Sequence, residues 1–150
     1  MIVKSLDHLN QISKTISKKL ENGDCIFLIG EIGVGKTTFT RFLINNLQNQ
    51  KGLRETEVLS PTFNLLYEYE IKDLKIMHYD LYRIKKGTEL DHLGIFSENE
   101  KTIKIIEWPD LIKTPFTNKL EIYLEYREND KERNMKINGV NKWKDFENEI

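Results

Sequence analysis

The chain has a single cysteine, Cys25, so an internal disulfide is excluded and a reducing cytoplasm is the compartment it fits. Cys25 opens the run Cys25-Ile26-Phe27-Leu28-Ile29 and reads as a buried core thiol rather than a reactive one. Long apolar runs are missing too: no stretch approaches the roughly 20 residues of a membrane span, and no signal peptide is recognisable. Neither sign of charge dominates, with 23 Lys and Arg against 24 Asp and Glu and a formal charge of −1. Without a basic field the chain cannot hold nucleic acid nonspecifically, so any RNA contact is local or made through a partner. Internal repeats, low-complexity tracts and long linkers are absent as well. The 150 residues are expected to form one soluble cytoplasmic α/β domain, long enough to bury a full core.

What is present alternates between two periodicities. Leu6, Leu9, Ile12, Ile16 and Leu20 recur at helical spacing, with Ser5 placed to cap the helix and Asn22-Gly23 to stop it. The apolar residues 25–29 predict a strand, and Phe39, Phe42, Leu43 and Leu47 predict a helix over Lys36–Leu47. Residues 48–57 read as a polar loop. After Ser60-Pro61-Thr62 the period becomes two: Phe63, Leu65, Tyr67 and Tyr69 alternate as in a half-buried strand, and Lys72-Asp73 marks a turn. Ile76–Tyr79, Ile103–Ile106, Leu120–Tyr126 and the pair Met135 and Ile137 predict four further strands. Thr88 is expected to cap a short helix closed by Gly94, and Trp143 with Phe146 shows helical spacing in the tail.

Between the strand at 25–29 and the helix at Lys36 lies Gly30-Glu31-Ile32-Gly33-Val34-Gly35-Lys36-Thr37, the spacing Gly-x4-Gly-Lys-Thr of a P-loop. Glycines let backbone N–H groups turn inward around a phosphate, at a helix N-terminus that favours anions. In that pattern Lys36 reaches the β- and γ-phosphates, the Thr37 hydroxyl ligates Mg²⁺, and Thr38 serves the α-phosphate. Lys36 itself reads as an exposed loop lysine that contributes little to the core. The Mg²⁺ shell needs a carboxylate at the end of a neighbouring strand. Asp80 after Ile76–Tyr79 and Glu107 after Ile103–Ile106 both qualify. Ser60-Pro61-Thr62 is either a switch segment offering hydroxyls to the γ-phosphate or a loop entering a strand.

Two segments imitate a GTPase. Asn118-Lys119-Leu120-Glu121 approximates the guanine-reading Asn-Lys-x-Asp, and Asp91-His92-Leu93-Gly94 matches Asp-x-x-Gly. The first starts a strand instead of following one, and the second follows a polar stretch instead of an apolar strand. A small-molecule kinase would need a lid rich in arginine, and Arg41, Arg54, Arg83, Arg127 and Arg133 form no such cluster in sequence.

Ser60-Pro61-Thr62-Phe63, His78-Tyr79-Asp80-Leu81-Tyr82-Arg83, Glu89-Leu90 with Gly94-Ile95, and Ile106-Glu107-Trp108 together resemble the TsaE family, the bacterial ATPases of tRNA threonylcarbamoyladenosine biosynthesis. Order and spacing agree from about residue 5 to 138. The resemblance implies a P-loop fold with a mostly parallel central sheet, antiparallel additions and flanking helices. It implies ATP and Mg²⁺ as cofactors and a weak ATPase coupled to a TsaB–TsaD complex. In that complex TsaD transfers the threonylcarbamoyl group to tRNA, and the ATPase resets the complex between turnovers without touching the tRNA itself. By match, Gly33, Val34, Gly35, Lys36, Thr37 and Thr38 hold the phosphates, and Thr37 and Glu107 ligate Mg²⁺. Asp80 orients or activates the attacking water, Leu6 touches the adenine, and Arg133 approaches the nucleotide from the C-terminal strand. Trp108 either floors the site or serves the partner interface, and Tyr79 stands where Phe is common. Two alternatives to a partner-driving ATPase are a nucleotide-dependent binding module, in which hydrolysis is incidental, and a small-molecule kinase.

Overall fold

Strand β2 (Asp24–Ile29) is buried on both faces, as its continuous apolar run requires. In the computed structural model, which describes residues 1–150, it sits at the centre of a seven-stranded sheet ordered β1-β7-β6-β2-β5-β4-β3. The other strands are β1 (Ile2–Val3), β3 (Leu66–Ile71), β4 (Leu74–Asp80), β5 (Ile103–Glu107), β6 (Asn118–Tyr126) and β7 (Arg133–Gly139). β4, β5, β2 and β6 run parallel, while β3 closes one edge and β7 with β1 the other in antiparallel fashion. The mostly parallel centre with antiparallel additions is therefore as expected.

Both α-helices, α1 (Leu6–Ser17) and α2 (Lys36–Gln50), pack on one face of this sheet and against each other. Alternate strand residues meet them there: Ile26 and Leu28 from β2, Ile76 from β4, Ile103 and Ile105 from β5, Leu120, Ile122 and Leu124 from β6. The opposite residues Cys25, Phe27, Tyr79 and Ile106 face a second, smaller core. No α-helix covers that face. Leu90 and Ile95, from a 3-10 segment (Gly87–Leu93) and the turn after it, do so together with Phe116. Burial pushes the Cys25 thiol far above its usual range, in keeping with an inert core residue. No helix is long and apolar enough to cross a membrane.

Several local expectations are corrected. β3 begins at Leu66, not at Phe63: the Leu65 N–H donates to the Pro61 carbonyl, and Leu65 takes φ +69°, which ends the turn; from Tyr67 on, the half-buried Tyr67 and Tyr69 alternate with exposed Glu68 and Glu70 as expected. Phe63 is consequently 79% exposed. Thr88 lies inside the 3-10 segment and caps nothing, although Gly94 closes it in the left-handed conformation as expected. Ser5 does cap α1, accepting from the His8 N–H at 3.1 Å. α2 continues to Gln50, one turn beyond its predicted end.

The C-terminal tail is part of the core. Two 3-10 turns, Asn141–Trp143 and Phe146–Glu149, bury Trp143 and Phe146 edge-to-face. The buried Asp24 carboxylate accepts from Trp143 Nε1 (3.2 Å), Lys142 Nζ (2.6 Å) and the Glu21 N–H (3.0 Å), which ties the tail to the start of β2. The chain turns back at Gly139, where a Cβ would lie 1.7 Å from the Trp143 carbonyl oxygen. Backbone cannot yield as a flexible side chain does. Gly139→Ala is expected to destabilise the fold by about 3 kcal/mol or more. Urea unfolding followed by tryptophan fluorescence measures this, and a midpoint equal to that of the unaltered chain would show that the tail is not locked as described.

Candidate functional site

β2 ends where the glycine loop begins, and the loop delivers the chain into α2. Gly35 takes φ +123°, a conformation closed to side-chain-bearing residues, and no atom lies within 4 Å of where its Cβ would be. Gly30 is needed for closeness instead: a Cβ there would meet the Leu124 carbonyl at 2.4 Å. Unlike α1, α2 has no side-chain cap and no acidic residue in its first turn. Its leading N–H groups are thus left for an anion. From outside, Tyr126 donates to the Ile32 carbonyl (2.8 Å) and Arg133 Nε donates to the Val34 carbonyl (3.0 Å). Those two bonds brace the crown of the loop against the ends of β6 and β7.

Lys36 corrects its expectation. It is only 5% exposed, and Nζ donates to the carbonyls of Gly30 (2.6 Å) and Glu31 (2.9 Å) while lying 4.3 Å from the Trp108 ring centre. Burial pulls its ammonium below the usual lysine range, against the opposing pull of Glu107, Asp80 and Asp110. The loop carbonyls and the indole face solvate the charge.

Parallel pairing sets Asp80 beside Glu107 as direct register partners at the ends of β4 and β5. Thr37 Oγ1 lies 3.0 and 3.2 Å from the two Glu107 oxygens and donates to that carboxylate. The Asp80 carboxylate accepts from Thr62 Oγ1 (2.8 Å) and from the Tyr82 N–H (3.0 Å). Thr62 and Ser60 share a 2.8 Å hydrogen bond, so the Ser60-Pro61-Thr62 segment does put hydroxyls at the site while also leading into β3. Lys36, Thr37, Asp80, Glu107, Ser60, Thr62, Tyr82 and Trp108 line one cavity of about 240 Å³.

A second cavity, of about 460 Å³, lies on the other side of the loop and is lined by Leu6, Gly33, Val34, Gly35, Thr38 and Arg133 among others. Leu6, at the start of α1 and 65% exposed, supplies an apolar wall. Arg133 Nη1 also donates to the carbonyls of Asp130 (2.5 Å) and Glu132 (2.8 Å), and its guanidinium lies 4.6 Å from the Tyr126 ring centre. Gly33 borders both cavities, so all ten residues singled out from the sequence gather around one loop.

Sequence reasoning left two residues without a role. Tyr126 was legible only as an alternating strand position. His78 carried a usable signal, since period two puts it on the same face of β4 as Asp80; it is buried, with Nε2 2.7 Å from Glu107 Oε2. The guanine-reading alternative fails on topology. Asn118 pairs with Asp24 at the start of β2, the end of the sheet opposite the loop, and Asp91 sits in a 3-10 segment.

The donor set suits Mg²⁺. No group of three or more His, Cys, Asp or Glu forms a cage, whereas one hydroxyl and one or two carboxylates beside a phosphate cradle are what Mg²⁺ takes.

Comparison with known proteins identifies the family. The family model described as "Threonylcarbamoyl adenosine biosynthesis protein TsaE" matches residues 3–135. A protein of Rickettsia felis named tRNA threonylcarbamoyladenosine biosynthesis protein TsaE is 33% identical over 132 residues, covering 87% of this chain and 75% of that one. The Rickettsia conorii protein of the same name is 35% identical over 130 residues, covering 86% and 72%. The crystal structure of Bacillus subtilis YdiB superposes with a TM-score of 0.74 at 25% identity, over 99% of this chain and 90% of that one. With the family match running from β1 into β7 and taking in both cavities, the chain belongs to the TsaE family of tRNA threonylcarbamoyladenosine biosynthesis.

Proposed function

We propose that this chain is a cytoplasmic, single-domain Mg²⁺-dependent ATPase that serves tRNA modification by acting on a TsaB–TsaD complex. It transfers no threonylcarbamoyl group itself and meets tRNA only through that complex. The observation that carries the reading is the meeting of Lys36, Thr37, Glu107 and Asp80 in one cavity at the opening of α2. A pure nucleotide-dependent binder needs the first three and has no use for a second carboxylate oriented by two donors. A kinase reading is disfavoured because no arginine lines that cavity.

In this reading the loop N–H groups of Gly33, Val34 and Gly35 cradle the β-phosphate, with Thr38 on the α-phosphate side. The apolar wall of Leu6 and the Arg133 guanidinium bound the base end. Lys36 exchanges its loop carbonyls for phosphate oxygens. Thr37 and Glu107 hold Mg²⁺, which when bound neutralises charge on the β- and γ-phosphates. Asp80, aimed by Thr62 and the Tyr82 N–H, orients the attacking water.

Nothing here excludes water unaided: the site is an open cavity, and Phe63, the residue after the lining Thr62, stands exposed and covers none of it. Turnover by the isolated chain is therefore expected to be slow and to rise at least about 10-fold when TsaB–TsaD completes the enclosure. Steady-state phosphate release, measured with and without the complex, tests this. Rapid turnover indifferent to the complex would replace the proposal with a stand-alone enzyme.

A further inference from the structure

His78 is the largest feature of the site that the chemistry above leaves unused. It is 0% exposed, it lies two residues before Asp80 on the same face of β4, and its Nε2 meets Glu107 Oε2 at 2.7 Å. A carboxylate only accepts, so the ring donates through Nε2–H. The Nδ1 atom is buried and has no hydrogen-bond partner. A strand that needed only bulk at this position would take an apolar residue, as it does at Ile76 on the same face. Burying an imidazole with one nitrogen unsatisfied costs free energy, and the bond to Glu107 is its one compensation here.

The geometry points to His78 as a positioning residue that holds the Glu107 carboxylate in the orientation required to take Mg²⁺. Glu107 is 2% exposed and has two side-chain donors, Thr37 and His78. Thr37 comes from α2 and is itself a ligand in the proposed shell, so it cannot serve as an independent brace. His78 comes from β4, is no part of that shell, and makes the shorter contact to Oε2 (2.7 Å against 3.2 Å from Thr37), while Thr37 lies nearer Oε1. Partners of this kind fix a ligating carboxylate and set its affinity for the metal. The inference rests on the proposed role of Glu107 and goes beyond it by assigning the group that aims it.

The test is a Mg²⁺ titration of ATP-analogue binding by fluorescence, run on His78→Leu, His78→Gln, His78→Asn and Glu107→Gln, with binding in EDTA and thermal unfolding measured in parallel. A glutamine amide reaches about as far as Nε2; an asparagine amide does not. His78→Leu and His78→Asn are expected to raise the half-saturating Mg²⁺ about 10- to 100-fold while leaving binding in EDTA unchanged, and His78→Gln to restore most of the loss. Should His78→Leu fail to fold, the Gln and Asn pair decides alone, since both keep a polar group. Equal Mg²⁺ midpoints for Asn, Gln and the unaltered chain would overturn the inference. So would an equal loss of binding with and without Mg²⁺, which marks a merely structural histidine. If Glu107→Gln leaves the midpoint unmoved, the metal assignment fails, whatever His78 does.

Discussion

Lys36→Ala is expected to weaken Mg·ATP binding on the order of 10²-fold or more and to abolish turnover in a protein that still folds. Charge-assisted hydrogen bonds contribute about 1.5–3 kcal/mol each, and a P-loop lysine makes them to two phosphates. Since about 1.4 kcal/mol is tenfold, two such bonds account for that loss. The variant will not be silent in stability, because Lys36 is buried and satisfies the carbonyls of Gly30 and Glu31. Leaving two backbone acceptors without a donor costs about 1–3 kcal/mol for each that water cannot reach. Removing a desolvated ammonium gives part of that back. A modest drop in unfolding midpoint, with far-UV circular dichroism preserved, is therefore the expected accompaniment. A folded Lys36→Ala chain that binds and hydrolyses ATP as before would mean that the loop is not the nucleotide site.

The contrast between Lys36 read as an exposed loop residue and Lys36 as found shows where sequence ceases to speak. The glycine spacing, the strand before it and the helix after it are local, and periodicity reports local structure well. The burial of Lys36 is not local: Trp108, which covers it, is brought there from the end of β5 with φ +58° just before Pro109. Likewise Asp80 and Glu107 were both legible as carboxylates ending apolar runs. Their status as register partners depends on the order of strands in the sheet, which no spacing encodes. Phe63 failed for a different reason. Its alternation with Tyr67 and Tyr69 is real in the sequence, but one left-handed residue, Leu65, breaks the strand before it. The helix-free second face of the sheet was not legible either, because residues 84–102 pack Leu90 and Ile95 there without helical periodicity. The family was legible because the residues that carry the resemblance stand at the ends of elements, next to the glycine loop.

The two strand-end carboxylates should separate cleanly when each is neutralised in turn. Glu107 shares its hydrogen bonds with Thr37, the one hydroxyl in the first turn of α2 that faces it, so it belongs to the proposed metal side. Asp80 bonds instead to Thr62 and the Tyr82 N–H, on the cavity wall formed by the segment leading into β3. Glu107→Gln removes an anion from beside the cation and is expected to weaken Mg²⁺ dependence and nucleotide affinity together. Asp80→Asn keeps the volume and the bond from Thr62 while deleting the charge proposed to orient water. It is expected to leave Mg·ATP binding near normal and to slow single-turnover hydrolysis by ~10²-fold or more. The two readouts differ, so the outcomes cannot be confused: metal titration against a fluorescent ATP analogue reports Glu107, and rapid-quench hydrolysis reports Asp80. Reversal of the pattern would exchange the two roles, which adjacent positions on parallel strands permit sterically. If both variants kept both quantities, the hydrolytic site would have to lie away from the ends of β4 and β5. The bonds from Thr37 and Thr62 would then serve only to fasten the α2 and β3 segments to the sheet.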